Sequence, residues 1–167
     1  VRRTRWTALA LSATLALAAC SSGGSDGGDS GGDGAAGELP ECPIDALDGA
    51  TTPVEVTVWH SYTAVTEETL LAMADDYNAS QDRVRVVIQN QSSYEELWRK
   101  YQAGIASGQL PGIAIPDDTV TRQIVDSQTI LPAQSCIDAT GYDIDQLLEQ
   151  SRAYYTLDGV LYPASLN

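Results

Sequence analysis

Histidine is scarce in this chain, a single residue at position 60, and that scarcity removes most metal chemistry at the outset. A structural zinc site draws Cys and His ligands from short spacings, and the three cysteines, Cys20, Cys42 and Cys136, form no such pair. There is no EF-hand loop either, so no metal site is expected. Basic residues are also few: nine Lys and Arg stand against 23 Asp and Glu, for a net charge of −14. A field of that sign repels phosphate backbones and argues against nucleic acid as a partner. The one pronounced apolar stretch, Trp6 to Ala19, runs for 14 residues, short of the roughly 20 that a helix needs to cross a bilayer. Also missing are a G-x-S-x-G elbow, a Walker or Rossmann glycine loop and any internal repeat, and no cofactor is implied.

What is present begins with a basic n-region, Arg2, Arg3 and Arg5, ahead of that apolar run, which reads as an export signal over residues 1–19. The Arg2-Arg3 pair has too weak a context for a twin-arginine signal. Leu17-Ala18-Ala19-Cys20 resembles the lipobox of bacterial lipoproteins. The resemblance implies cleavage before Cys20, lipidation of its thiol, and anchoring to the outer face of the cytoplasmic membrane through two acyl chains. An ordinary secretory signal followed by an incidental cysteine is the alternative. Residues 20–40 are then a lipidated cysteine and a tether, since Ser21 to Gly37 is almost entirely Ser, Gly and Asp and has nothing to bury. Cleavage removes three of the nine basic residues and none of the 23 acidic ones, leaving −17. With Cys20 assigned to lipid, Cys42 and Cys136 are an even pair in an oxidising compartment, and a disulfide is the default. The alternative is two free buried thiols.

Past the tether the pattern alternates. Pro53 introduces a β-branched strand, Val54 to Trp59, and a helix follows with Thr66 as N-cap and Leu70, Met73, Ala74 and Tyr77 on one core-facing stripe. Arg83 to Ile88 is a second strand whose Val-Val-Ile run suggests burial on both faces of a parallel sheet. Ser93-x-x-Glu96 is a capping box for a second helix with the stripe Tyr94, Leu97, Trp98, Tyr101 and Ile105, stopped by Gly108 and Pro111. Gly112 to Ile115 is a short third strand, and Asp118 or Thr119 caps a short helix carrying Val120, Ile124 and Val125. This βαβαβα order implies an α/β fold with a mainly parallel sheet flanked by helices. Ile130 to Pro132 reads as extended, Asp143 caps a last helix with Leu147 and Leu148 inward, and Tyr154 to Pro163 is two extended runs about an Asp158-Gly159 turn.

In such a sheet ligands sit at the carboxyl ends of the strands. Three loops qualify: Trp59 to Val65, Gln89 to Tyr94, and Pro116 to Thr119. Their amides, hydroxyls, carboxylates and aromatic rings suit a neutral polyhydroxylated molecule. Catalysis is poorly served. His60 and Ser61 with Asp117 contain the letters of a triad, yet neighbours on an extended segment point to opposite faces. Asp117 and Asp118 as an acid–base pair compete with a capping role. Each binding candidate also has a plainer reading: Trp59 as core, His60 as a hydrogen-bonded loop residue, Gln89 to Ser93 as an exposed loop, and Tyr94 as packing at the start of its helix.

The combination of lipobox, tether, "VEVTVWHSYT", "LLAMADDYNASQ", "VRVVIQNQSSYEELWRKYQAGIASGQLPGIAIPDD" and "TLDGVLYPASLN" resembles the N-terminal part of family 1 extracellular solute-binding proteins, the lipoproteins of carbohydrate-type ABC importers. The "WHS" at the first strand is similar to members that bind glycerol 3-phosphate or related phosphodiesters. The resemblance implies a periplasmic-binding-protein-like lobe over residues 41–167, a sugar, polyol or glycerol phosphate as ligand, an ABC permease as partner, and no chemistry. Its ligand-contacting loops fall on His60, Ser61 and Tyr62, on Ser92, Ser93 and Tyr94, on Asp117, and on the strand leading to Ser165 and Asn167. Trp59 joins them from its place in the first crevice loop. It also implies a second lobe that is missing or incomplete here, so that this chain alone is expected not to trap ligand by closure. The rival readings are a surface or sensory lipoprotein with an apolar patch outside the crevice, and an exported hydrolase with a bonded nucleophile and base.

Overall fold

The computed structural model describes residues 38–162. The expected signal peptide, Cys20, most of the tether, Ser165 and Asn167 lie outside the described residues. Strand β1 (Val54–His60) lies at the centre of a three-stranded parallel sheet, with β2 (Val84–Asn90) on one side and β3 (Ile113–Ala114) on the other. Val54 faces Val84 and His60 faces Asn90 along the full length of the first pair, and Val58 and Trp59 pair with Ile113 and Ala114. The helices α1 (Ala64–Ser80) and α2 (Tyr94–Ser107) make the crossovers, as the alternating pattern requires.

Strand β2 is an edge, not a strand buried on both faces as the Val-Val-Ile run suggests, and Val86, Val87 and Ile88 are only half-buried. Helix α1 docks there through polar groups. The Asn78 amide accepts from Val86 N at 2.8 Å and donates to Val86 O at 2.9 Å, closing an edge that would otherwise leave peptide groups unpaired. The helix also begins earlier than expected: Thr63, not Thr66, is its N-cap, in extended conformation and without a side-chain bond. That shift accompanies a narrower buried face. Ala74 is buried and Leu70 half-buried, whereas Met73 (64% exposed) and Tyr77 (46%) point to solvent. They are not core residues among the described elements.

Helix α2 supplies the best-buried side chain. Leu97 is fully enclosed, Tyr101 beside it is buried with its hydroxyl 2.8 Å from Thr129 Oγ1, and Gly104 lies where an added Cβ would come within 2.7 Å of Gln109 O. Ile105 and Tyr94, on the expected stripe, are surface-exposed. Of the capping box only the forward half forms, Glu96 N donating to Ser93 Oγ at 3.1 Å, because the Glu96 carboxylate turns to Arg99. The helix ends at Gly108, whose φ of 69° places it in the left-handed region.

After β3 a 3-10 turn (Asp118–Val120) leads into α3 (Thr121–Asp126), where Ile124 is buried. The turn is capped by Asp117 and not by Asp118 or Thr119. Ile130 to Pro132 forms no strand; it leads into α4 (Ala133–Thr140), a helix too short for its period to stand out in the sequence. Asp143 caps only a 3-10 turn (Ile144–Gln146), and Leu148 is 73% exposed before α5 (Glu149–Tyr155). Tyr154 and Tyr155 thus end a helix and are not extended. The hairpin does form, β4 (Thr156–Leu157) against β5 (Val160–Leu161), with Asp158 and Gly159 both at positive φ, as a two-residue type I′ turn demands. Cys42 is bonded to Cys136 on α4, fastening the segment before β1 to the far side of the chain. No helix among the described residues is long and apolar enough to cross a membrane.

Candidate functional site

The three loops that follow the sheet strands are stitched together by their own polar groups. Gln91 N donates to His60 O at 2.8 Å, Ile115 N donates to Trp59 O at 2.8 Å, and the Asn90 amide donates to Tyr62 O at 3.0 Å and to Glu67 Oε1 at 2.6 Å. Asn90 Oδ1 in turn accepts from Ser92 N at 2.7 Å, which holds Ser92 at a φ of 69°. The first two strands therefore end in one rigid polar knot beside β3.

Three of the sequence candidates lie inside that knot. His60 is wholly enclosed, and its Nδ1 accepts from Tyr62 N at 3.1 Å, so the proton of the neutral ring sits on Nε2, 4.0 Å from Glu67 Oε1. Trp59 is buried, its Nε1 donating to Gln89 Oε1 at 3.1 Å while Lys100 Nζ lies 4.0 Å from its ring centroid. Ser61 is buried as well, and its hydroxyl makes no hydrogen bond in the structure. These three side chains brace the loop and are closed to solvent. Tyr62, half-buried and 5.9 Å from the His60 ring, is the one that reaches the open side.

The open side gathers Tyr62, Tyr94, Asp117, Asp118 from the same crevice loop, and two residues to which the sequence assigns no binding role, Tyr154 and Tyr155. Tyr154 donates its hydroxyl to Asp118 Oδ2 at 2.9 Å, and its ring meets the Tyr155 ring edge-on at 4.9 Å. Asp117 is fixed by Thr119, whose backbone N donates at 3.0 Å and whose hydroxyl also bonds Oδ1; these bonds hold its carboxyl below the usual carboxylate range. Around this pair of carboxylates the phenols resist ionisation. The bond to Asp118 and then its charge push Tyr154 up, while burial, followed by neighbouring charge including Asp118, pushes up Tyr94 and Tyr155. A cavity of about 420 Å³ opens on one side, with Tyr62, Ile115, Asp117, Asp118 and Tyr155 in its wall. A second of about 550 Å³ opens on the other, formed by Ser93, Tyr94, Trp98, Asp117 and Thr119. Asp117 stands between them. Ser92 is exposed on the neighbouring loop, and Ser93 is committed to capping α2.

A folded-state phenol that holds its proton more tightly than the unfolded chain adds stability that is fully present below about pH 10, the ordinary tyrosine value, and is lost as the pH rises through the raised folded value. Substituting Asp118→Ala removes the hydrogen bond and then the charge behind the Tyr154 shift and is expected to bring its titration down toward the ordinary value. The ring-carbon NMR signal of Tyr154 followed through an alkaline titration reads this directly; an unmoved curve would contradict the assignment of that bond.

No protein-family model matches the sequence, and no curated protein matches it. Solved structures do match. A cyclic alpha-maltosyl-1,6-maltose binding protein from Arthrobacter globiformis is 32% identical, with a TM-score of 0.56, covering 65% of this chain and 27% of that one. A family 1 extracellular solute-binding protein from Alicyclobacillus acidocaldarius gives 0.59 at 17% identity, covering 67% of this chain and 28% of its own. An ABC substrate-binding protein from Listeria monocytogenes, solved with cycloalternan, gives 0.56 at 18% identity, covering 65% and 27%. The chain has the fold of part of a family 1 extracellular solute-binding protein and is similar to carbohydrate-binding ABC substrate-binding proteins. It spans little more than a quarter of the length of the structures it matches.

Proposed function

We propose that this chain is the N-terminal lobe of an exported, lipid-anchored solute-binding protein that captures a sugar, oligosaccharide or glycerol-phosphate-type solute and hands it to an ABC permease. The observation that carries the reading is the cluster of phenols around Asp117 and Asp118 at the carboxyl ends of β1 and β3, in a chain similar to a binding protein for a cyclic glucose oligosaccharide. Carboxylates accept from sugar hydroxyls, phenol hydroxyls donate, and the rings offer faces on which a pyranose can lie. Binding without chemistry is supported at the knot, where Ser61 Oγ is unbonded and His60 Nδ1 is taken up by Tyr62 N, so these two are not paired as nucleophile and base. Export fits the Cys42–Cys136 bond. Anchoring rests on the lipobox at Cys20, and ligand contacts at Ser165 and Asn167 rest on the resemblance.

The test is calorimetry and NMR titration of the chain with linear and cyclic glucose oligosaccharides. Binding weaker than micromolar is expected of these residues by themselves, because they span little more than a quarter of the structures they match and present one wall of the crevice. Tyr62→Ala and Asp117→Ala are each expected to weaken it by about tenfold or more, the equivalent of losing one well-placed contact to a charged or aromatic group. Micromolar binding indifferent to both substitutions would contradict the site. A second reading, a surface or sensory lobe that meets a protein partner, draws on the exposed Val65, Leu71, Met73 and Tyr77 of α1.

A further inference from the structure

We infer that this face of the crevice admits uncharged polyols and rejects phosphate esters, a charge selection that rests on the solute-binding reading and narrows it. The starting observation is the sign of the wall. The cavity of about 420 Å³ carries Asp117 and Asp118, the one of about 550 Å³ carries Glu95 and Asp117, and among the described residues neither is lined by Lys, Arg or His. The nearby cations are committed elsewhere. Arg122 bonds Asp126 at 2.9 Å and Asp158 at 3.3 Å, Arg99 bonds Glu96 at 2.6 Å, and Lys100 lies over the Trp59 ring with its ammonium 2.9 Å from Gln91 Oε1.

Backbone donors are the other means of holding a phosphate, and at both turns beside the cavities some of them are already used by the protein itself. Helix N-termini and turns bind anions through free N–H groups. At the start of α2, Glu96 N is taken by Ser93 Oγ, and Glu95 and Glu96 add two carboxylates to the first turn. At the 3-10 turn, Thr119 N and its hydroxyl are both turned onto Asp117. An incoming phosphate therefore meets carboxylates where it needs donors. A neutral polyol meets the reverse situation, because its hydroxyls donate to those same carboxylates and accept from the phenols. Those phenols are protonated at neutral pH, as their ordinary value of about 10 already ensures, with Tyr154 giving its proton to Asp118 and Tyr94 and Tyr155 left to meet the solute.

A unit charge about 4 Å from another of the same sign costs on the order of 1 kcal/mol even at the dielectric of water, so two carboxylates make the anion roughly tenfold weaker or more. The experiment titrates the chain with a matched pair, maltose and maltose 1-phosphate, with glycerol 3-phosphate as a third probe, and follows the Tyr62, Tyr94 and Tyr154 ring signals by NMR. The expected result is that maltose shifts these signals while both phosphate esters bind at least tenfold more weakly. The gap should narrow at high salt, where exposed charges are screened over a few ångströms, and narrow again in Asp118→Asn. Phosphate esters that bind as tightly as maltose would overturn the charge selection and leave the solute-binding reading standing. A gap that ignores salt would overturn its electrostatic origin. No shift with any probe would overturn the solute-binding reading and the selection with it.

Discussion

Breaking the Cys42–Cys136 bond is expected to lower the stability of the folded chain by about 4 to 5 kcal/mol in the chain-entropy account. The bond closes a loop with a sequence separation of 94 residues that contains the whole parallel sheet, so its loss frees most of the described chain in the unfolded state. Few other contacts do the same work. The segment before β1 is mostly exposed turns, and α4 otherwise meets the rest through Ala133 N bonding Tyr162 O at 3.0 Å and its packing on β5. Marginal domains have about 5 to 15 kcal/mol in total, so the reduced form should unfold under mild conditions. Urea denaturation with and without reductant, repeated on a Cys42→Ser/Cys136→Ser variant that should match the reduced form, checks this. Coincident midpoints for all three would contradict it.

Leu97→Ala is expected to cost about 2 to 5 kcal/mol, the range for emptying a buried leucine site. Leu97 is fully enclosed on the face of α2 that packs against β1, next to buried Tyr101. The same substitution at Ile105, two turns along and 36% exposed, should cost well under half as much. Because Tyr94 stands in the first turn of α2, loosening the helix should also broaden the Tyr94 signal. Denaturation curves for the two variants side by side read the contrast; equal losses would mean that α2 is not anchored where its burial places it.

The strands and long helices were legible because their signals are dense. Val54 to Trp59 alternates and is β-branched, Ser93 caps, Gly108 stops, and Asp158-Gly159 turns, and each does so in the structure. The faces were less legible. Met73 and Tyr77 sit at core spacing on α1 yet are exposed, because periodicity records which residues share a face and not whether anything covers it. The short helices α4 and α5 span two turns each, too little for a period to emerge, and so α4 is not anticipated and the Tyr154-Tyr155 pair reads as extended. That is also why the tyrosine pair of the candidate site was missed. The site's position at the strand ends follows from topology, and Tyr62, Tyr94 and Asp117 follow with it. Asp118 follows from the same loop, whereas Tyr154 and Tyr155 depend on a contact across 36 residues that only the folded chain brings about. His60 shows the opposite case, a residue whose chemistry drew attention but whose burial makes it the brace of Tyr62.

The central claim, that solute binds on the phenol and carboxylate face of the crevice, is tested most directly by mapping amide and ring NMR shifts while maltotriose is added to the chain. The account predicts that the perturbed residues are Tyr62, Tyr94, Asp117, Asp118, Tyr154 and Tyr155, with α1 silent. Shifts concentrated instead on Val65, Met73 and Tyr77, or absent from the tyrosine cluster altogether, would contradict it.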